Sequence, residues 1–371
     1  MDSNITLELS PGSGNARNSE GSFVTLDDGR ILFAYTRYIS DDNDDAAPSE
    51  IVTRISSDGG CTWSRDDRLL IPRGDAENIM SVSLLRLGLG QGLGQASRRI
   101  ALLVSQKRHL GAGMSCTPLL HFSEDEMETL SPPSEVIPRQ EYHVVNNDRM
   151  IQLASGRLVI PVSQHRVGIQ RFSNPGLIFF LLSDDEGQTW QESRSSFYRC
   201  FPDGHGWQEP GAIQLKDGRL WAWMRTGWSG NERCGRQWQT FSSDEGLTWS
   251  EPEESSFVSP YSPLSIKRNP LTGDLLAVWN DHSGRFPTPS YDIPDHPGAG
   301  WGIHRTPLVC AFSHDDGETW TRHTLLEGSP NHGFCYTAIH FVEDAVLLAY
   351  CAGPTATSQV LDHLRIRRLS L

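Results

Sequence analysis

Four short segments of the chain repeat one pattern of a carboxylate, a hydroxyl and an indole, S-x-D-x-G-x-T-W. They begin at Ser56, Ser183, Ser242 and Ser313. If the aspartates acted chemically, they would do carboxylate catalysis, but no segment pairs a nucleophile with a base. Asp and Gly instead suit a tight turn, Thr adds a local hydrogen bond, and Trp packs between sheets. Because repeats that run along a whole fold typically stabilise it, we interpret these boxes as scaffold.

The spacing of the boxes indicates a repeated unit. The first two boxes begin 127 residues apart and the second and third only 59 apart, so a copy should lie near the middle of the longer interval. SEDEMETL, from Ser123 to Leu130, fits as a degenerate copy. Asx or Gly turns followed by apolar β-forming runs, such as DDGRILFAYTR and KDGRLWAWMRT, alternate with the boxes and indicate hairpins. About six such units fit this length, which predicts a single all-β domain over residues 1–371, a six-bladed β-propeller of four-stranded antiparallel blades.

Composition excludes several classes of partner. The chain has 46 acidic and 32 basic residues and a formal charge of -14, which disfavours nucleic acid and anionic membrane surfaces. The N-terminal segment has no basic start followed by an apolar run. We therefore expect no nucleic acid, no membrane association and a cytoplasmic location unless a signal was removed, and the sequence does not indicate an oligomeric state.

Metal and cofactor motifs are lacking in the sequence. The 13 His and 7 Cys residues form no H-E-x-x-H and no C-x-x-C pair, so we expect neither a metal nor a cofactor. RLGLGQGLGQ contains G-x-G-x-x-G from Gly88, but it follows a β-run with no helix behind it, and we interpret it as a loop between strands.

The boxes, their spacing and the hairpin segments resemble the sialidase (neuraminidase) superfamily, whose Asp-box or BNR repeats build a six-bladed propeller. The resemblance covers roughly residues 17–350 and implies site residues by position. QEPGAIQLKDGRLWAWMRT places the acid partner at Glu209 and the second arginine of a carboxylate-binding triad at Arg225. RTPLVCAFSHDDGETW places the third arginine at Arg305. HGFCYTAIHFVEDAVLLAY places the nucleophilic tyrosine at Tyr336.

The resemblance also implies a first arginine and an acid/base aspartate. ARNSEGSFVTLDDGR offers Arg17 for the arginine, with NSEG in place of the proline-containing segment that is usual in the family. In SDDNDDAAPSEIV two spacings are consistent with the family, and they place the aspartate at Asp44 or Asp45. Glu20 is a further acid near Arg17 without an assigned role.

These implied residues suit the chemistry of a sugar that carries a carboxylate on its anomeric carbon. Arginine forks hold a carboxylate bidentately, which lysine cannot copy. A neutral phenol attacks such a carbon better than a carboxylate does, and sialidases use this tyrosine chemistry. Glu209 would take the phenol proton, and Asp44 or Asp45 would protonate the leaving oxygen and then activate water. We expect an exo-acting, retaining glycoside hydrolase that releases a terminal sialic acid or a related 2-keto sugar acid from a glycan.

Two polar segments, RGDAENIMSVSLLRL and YHVVNNDRMIQL, interrupt apolar runs. Their side chains could contact sugar hydroxyls or satisfy hydrogen bonds between blades. The candidates for substrate contacts are Asn78, Asn147, Asp148 and Arg149.

Two other functions remain open from the sequence. One is a propeller hydrolase or lyase acting on another acidic or rhamnose-containing polysaccharide, with His143 or His165 as acid/base. The other is a non-catalytic glycan-binding propeller, which would be favoured if Tyr336 pointed into the core or Glu209 were engaged elsewhere.

Overall fold

The computed structural model describes residues 3–88, 99–110, 113–166, 173–201, 204–226, 235–288, 305–355 and 359–371. All regular elements in these segments are β-strands, and the segments contain no helix of the length and apolarity needed to cross a membrane. The first thirteen strands are β1 (Ser3–Leu9), β2 (Asn18–Thr25), β3 (Ile31–Tyr38), β4 (Ser49–Ser56), β5 (Arg68–Ile71), β6 (Asn78–Arg86), β7 (Ile100–Leu110), β8 (Gly113–Ser123), β9 (Ser134–Glu135), β10 (Tyr142–Val144), β11 (Ile151–Gln152), β12 (Leu158–His165) and β13 (Leu177–Ser183). The others are β14 (Gln191–Glu192), β15 (Gln208–Gln214), β16 (Leu220–Arg225), β17 (Gly235–Ser242), β18 (Glu253–Ser259), β19 (Ser265–Arg268), β20 (Leu275–Asn280), β21 (Leu308–Ser313), β22 (Thr321–Glu327), β23 (Cys335–Phe341), β24 (Ala345–Cys351) and β25 (Leu364–Ser370).

The described strands form five sheets, four of which have four antiparallel strands. Their orders are β2-β3-β4-β5, β15-β16-β17-β18, β19-β20-β21-β22 and β23-β24-β25-β1, so the N-terminal strand completes the C-terminal sheet. The fifth sheet has nine strands, because the runs β6 to β9 and β10 to β14 are joined where Tyr142 pairs in parallel with Cys116. The predicted all-β class and four-stranded antiparallel sheets are confirmed, whereas the strands do not separate into six sheets.

The Asp boxes form the turns after β4, β8, β13, β17 and β21. In all five, including the degenerate copy, the Thr hydroxyl donates to the Asp carboxylate at 2.6 Å. The box Trp packs on the preceding unit, as Trp249 does by stacking on Phe180 with ring centroids 3.9 Å apart. At Gly317 the box glycine is needed for space as well as for its positive φ, because a Cβ there would lie 2.6 Å from the Trp221 ring. The box aspartates therefore hold their own turns.

The described strands fall into six consecutive units, namely β2–β5, β6–β9, β10–β14, β15–β18, β19–β22 and β23–β25 with β1. Six hydrophobic clusters lie between neighbouring units. Strands such as β3 are buried on both faces, with Leu32 and Ala34 in one cluster and Phe33 and Tyr35 in another. Five clusters join each unit to the next one along the chain. The sixth joins β23 to β25 back to β2 to β4. The packing of the units is therefore cyclic.

Candidate active site

A cavity of about 300 Å³ opens among the first strands of the units. β6, β2, β23, β19 and β15 contact one another in that order. Four of these strands contribute side chains to the wall, among them Glu20, Ser81, Glu209 and Tyr336. The volume falls at the lower end of the range for small-ligand sites in proteins.

The same backbone geometry presents all four side chains. Each residue lies at a register shift between the first and second strands of its sheet. Each has a positive φ, 54° at Glu20, 60° at Ser81, 50° at Glu209 and 57° at Tyr336. A non-glycine residue in this region costs about 1–3 kcal/mol, and such residues cluster at functional sites. The bulges turn these side chains out of the strand alternation and into the cavity.

Tyr336, Glu209 and Arg225 form one hydrogen-bonded group. The Tyr336 hydroxyl donates to Glu209 Oε1 at 3.0 Å, and Arg225 Nη1 lies 2.8 Å from Glu209 Oε2. Arg225 Nη1 also donates to the Tyr336 oxygen at 3.3 Å, and its Nη2 donates to Gln208 Oε1 at 2.8 Å. The phenol thus has a carboxylate to accept its proton and a guanidinium beside its oxygen.

Burial and neighbouring charges together set the charge states of Tyr336 and Arg225. Removal from water raises the pKa of the Tyr336 phenol well above its usual range, although Arg225 opposes the shift. Burial disfavours the charge of Arg225, but the adjacent Glu209 carboxylate outweighs it and raises the pKa of the guanidinium. The phenol is therefore neutral at ordinary pH, and it can act as a nucleophile only if a base removes its proton.

Arg305 packs over the ring of Tyr336. Its guanidinium carbon is 5.2 Å from the centre of the Tyr336 ring, and its Nη1 donates to Cys335 Sγ at 2.9 Å. Arg305 is 1% exposed as a whole residue, yet it reaches the cavity wall, as Arg225 does. Two arginines therefore contact Tyr336, Arg225 at its hydroxyl and Arg305 at its ring.

Arg17 lies behind two carboxylates of the cavity wall and does not itself line the cavity. Its Nη1 donates to Asp45 Oδ1 at 2.5 Å and its Nη2 donates to Glu20 Oε1 at 3.0 Å. Asp45 and Glu20 line the cavity, and Lys107 Nζ donates to the Asp45 carbonyl oxygen at 2.5 Å. Partial loss of water in the cavity opposes ionisation of Asp45, whose side chain stays 63% exposed, but Arg17 and Lys107 lower the pKa of its carboxyl below the usual range.

Of the two aspartate candidates, only Asp45 lines the cavity. Asp44 turns its carboxylate to the backbone, where Oδ1 accepts from the Ala46 amide at 2.9 Å, so it stabilises the loop. Asn78 also lies outside the cavity wall, and its Nδ2 donates to the Ala47 carbonyl at 2.6 Å. Both side chains are used to shape the loop that presents Asp45.

The segment Asn147 to Arg149 bridges neighbouring units and does not line the cavity. Asn147 Nδ2 donates to the carbonyl oxygens of Gly21 and Tyr336. Asp148 accepts from the Ile339 amide at 3.0 Å and from Lys267 Nζ at 2.9 Å.

Arg149 also turns away from the cavity, with its Nη2 donating to the Leu264 carbonyl. Burial lowers the pKa of Arg149 to about 10. These contacts agree with the second interpretation of the segment, in which its side chains form hydrogen bonds between blades and do not contact sugar hydroxyls.

Several wall residues were not candidates from the sequence. Lys107, Tyr142, Gln208 and Tyr261 all line the cavity. Lys107 is 4% exposed at the end of an apolar run, and a lysine in such a place is a signal that could have marked it. Gln208 directly precedes Glu209. The Tyr261 ring centre lies 4.3 Å from the Arg225 guanidinium carbon, a contact that no local pattern indicates.

The two candidate histidines, His143 and His165, are placed poorly for acid/base work. His165 lines the cavity, but its Nε2 contacts Ser163 Oγ at 2.9 Å and its Nδ1 contacts the Ser173 carbonyl at 3.0 Å. Burial lowers the pKa of His165 to about 4. His143 is fully buried outside the wall. Among the described residues, no three His, Cys, Asp or Glu side chains are grouped closely enough to hold a metal ion.

Comparison with solved structures places the fold among sialidases. The chain matches a protein of unknown function from Dyadobacter fermentans with a TM-score of 0.70 at 15% identity over 99% of each chain. It matches the intramolecular trans-sialidase from Ruminococcus gnavus with a TM-score of 0.68 at 15% identity, over 100% of this chain and 97% of the other. The NanB sialidase from Streptococcus pneumoniae gives 0.69 at 14% identity, over 99% of this chain and 70% of the other. No curated protein matches significantly in sequence.

The family model described as a BNR repeat-like domain matches residues 93–348. This match spans more than half of the chain and includes four of the five Asp boxes. The resemblance noted in the sequence is confirmed by this match together with the sialidase fold. The chain belongs to the BNR repeat-like domain family.

Proposed function

We propose that the protein is an exo-acting, retaining glycoside hydrolase that releases a terminal sialic acid or a related 2-keto sugar acid from glycans. The observation that carries this proposal is the contact of the Tyr336 hydroxyl with Glu209, beside Arg225. A buried neutral phenol with its own base is the nucleophile that a carbon bearing a carboxylate requires. The sialidase fold of the neighbouring structures agrees with it.

We also propose that the chain forms a single six-bladed propeller over residues 1–371. The six clusters that join the units in a cycle support this count, since each cluster would lie between two blades. The nine-stranded sheet would then hold two blades joined by the pairing of Tyr142 with Cys116. The site would lie at the centre, where the blades' first strands meet.

In the proposed reaction, Arg17, Arg225 and Arg305 bind the substrate carboxylate. The Tyr336 oxygen attacks the anomeric carbon while its proton passes to Glu209. The bond from that carbon to the leaving oxygen breaks as Asp45 donates a proton to that oxygen. Asp45 then takes a proton from water, the water oxygen attacks the same carbon, and the departing phenolate recovers its proton from Glu209. Two displacements give net retention.

Asp45 and Arg17 must change partners during this cycle. Arg17 Nη1 is occupied by Asp45 in the free protein, whereas the proposed substrate brings its own carboxylate to Arg17. Because the Asp45 side chain is 63% exposed, it is free to move aside. Once it leaves Arg17, its pKa should rise, which prepares it to donate a proton.

This exchange predicts that ligand binding takes up a proton. The Asp45 pKa is lowered in the free protein and should rise in the complex, so the complex holds more protons and affinity should increase as pH falls from about 7 to about 5. Calorimetry of N-acetylneuraminate binding in buffers of different ionisation enthalpy should show uptake of up to about one proton per site. Asp45→Asn should abolish the uptake and Asp44→Asn should retain it. Equal uptake in both variants would contradict the assignment.

The direct test of the function is release of the fluorophore from 4-methylumbelliferyl-α-N-acetylneuraminide. We expect turnover by the wild-type protein, and proton NMR of the first product should show the α-anomer, as retention requires. Glycosides of deaminated and shorter keto sugar acids form the rest of the panel. A folded protein that turns over none of these compounds would overturn the proposal in favour of a glycan-binding role.

A further inference from the structure

Glu20 and Ser81 occupy, in β2 and β6, the positions that Glu209 and Tyr336 occupy in β15 and β23. All four have left-handed backbone angles at equivalent bulges, and all four line the cavity. In two of the strands the residue presented this way belongs to the proposed catalytic pair. The other two have no role in the mechanism above, although their backbones carry the same strain.

The surroundings of Glu20 lock its carboxylate in place. Oε1 accepts from Arg17 Nη2 at 3.0 Å, and Oε2 accepts from the Ser81 hydroxyl. The Glu20 side chain is only 6% exposed, against 63% for Asp45, the other carboxylate on Arg17. An incoming carboxylate can therefore displace Asp45 from Arg17, whereas Glu20 stays on Nη2 and faces the bound molecule.

A fixed carboxylate at this place selects for a hydrogen-bond donor. Arg17 and Ser81 each donate one hydrogen bond to Glu20, and an ionised carboxylate has about four acceptor sites. The Glu20 carboxylate would repel a second anionic group of a ligand. A hydroxyl or N–H next to the carboxylate-binding position would instead donate to one of the remaining acceptor sites of Glu20. Bonds that involve a charged acceptor are about twice as strong as neutral ones.

We propose that Glu20, held by Ser81, is a specificity-determining residue that accepts a hydrogen bond from one hydroxyl or N–H group of the bound sugar acid. The inference rests on the proposed function and adds a requirement to it. The substrate must carry a donor within reach of the carboxylate-binding arginines. Glu20 also orients Arg17, so its loss affects binding in two ways that an experiment must separate.

The test measures dissociation constants of N-acetylneuraminate and its monodeoxy derivatives by calorimetry. Glu20→Gln should weaken binding of the parent sugar acid roughly 10- to 100-fold, and Ser81→Ala should weaken it less. For one monodeoxy derivative, the wild type and Glu20→Gln should differ much less than they do for the parent, because the contacted hydroxyl is already missing. That coupling is a signature that a merely structural role would not produce.

Glu327→Gln serves as the matched control. Glu327 is a mostly buried carboxylate that accepts from Arg365, Arg367 and the Tyr350 hydroxyl, outside the cavity wall. This variant should lose thermal stability and bind the sugar acid like the wild type.

Two results would overturn the inference while leaving the proposed function intact. One is binding by Glu20→Gln within about twofold of the wild type, and the other is an equal loss for the parent and every monodeoxy derivative. Failure of the wild type to bind any keto sugar acid would overturn the proposed function, and this inference with it.

Discussion

Tyr336→Phe is expected to lower kcat by about a thousandfold or more, since loss of a nucleophile removes several orders of magnitude of rate. The substitution removes one oxygen, which is hydrogen-bonded to Glu209 and Arg225. The ring and its contact with Arg305 remain, so KM should change little. Initial rates with the methylumbelliferyl sialoside, together with the melting temperature, measure the effect.

Tyr35→Phe is the matched control for this prediction. Tyr35 is a buried tyrosine on β3 whose hydroxyl donates to Asp67 at 2.8 Å, outside the cavity wall. The Tyr35→Phe variant loses the same kind of hydrogen bond, from a phenol to a carboxylate, so it should be less stable and keep its kcat. If Tyr336→Phe retained more than about a tenth of the wild-type kcat while folded, Tyr336 would not be the nucleophile.

Glu209→Gln should lower kcat by about 10²- to 10⁴-fold, the usual contribution of a general base. The amide keeps the shape of the side chain but cannot take the phenol proton. It also leaves the buried Arg225 without its carboxylate, which costs about 3–5 kcal/mol when one partner of a buried pair is removed. Both kcat and the free energy of unfolding should therefore fall, and urea denaturation should accompany the kinetic measurement.

The two effects of Glu209→Gln can be separated. Glu327→Gln breaks a carboxylate–arginine cluster away from the cavity and should lower stability alone. If Glu209→Gln were destabilised but kept its kcat at a temperature at which it is folded, Glu209 would be a structural partner of Arg225 and not the base.

The repeats were predictable because their determinants are local. A box such as SHDDGETW closes through bonds of Asp315 to Thr319 within the same turn, so the same letters give the same turn wherever they occur. The alternation of turns and apolar runs likewise defines hairpins. The all-β class and the four-stranded sheets follow from such short-range rules.

The structure also brings together residues that the family pattern placed at matching positions. Tyr336 and Glu209 are 127 residues apart in the chain, yet they share a hydrogen bond. Their positions in the sequence match the sialidase pattern, but their proximity depends on the cyclic packing of the units. The choice between Asp44 and Asp45 could not be made from spacing, because one turn of the loop sends adjacent side chains to the backbone and to the cavity.

By itself the sequence determined the strand class, the repeated turns and the candidate list, because periodicity and turn chemistry act over a few residues. Only the tertiary structure decided which polar groups face the cavity. In the sequence the run from Asn147 to Arg149 is a candidate for substrate contacts, but in the structure it bridges units. Glu20 and Lys107 were not among those candidates, and both line the cavity wall. The reason is physical: which way a side chain points depends on pairing and packing between distant strands, as at the register shifts that turn Glu20, Ser81, Glu209 and Tyr336 into the cavity.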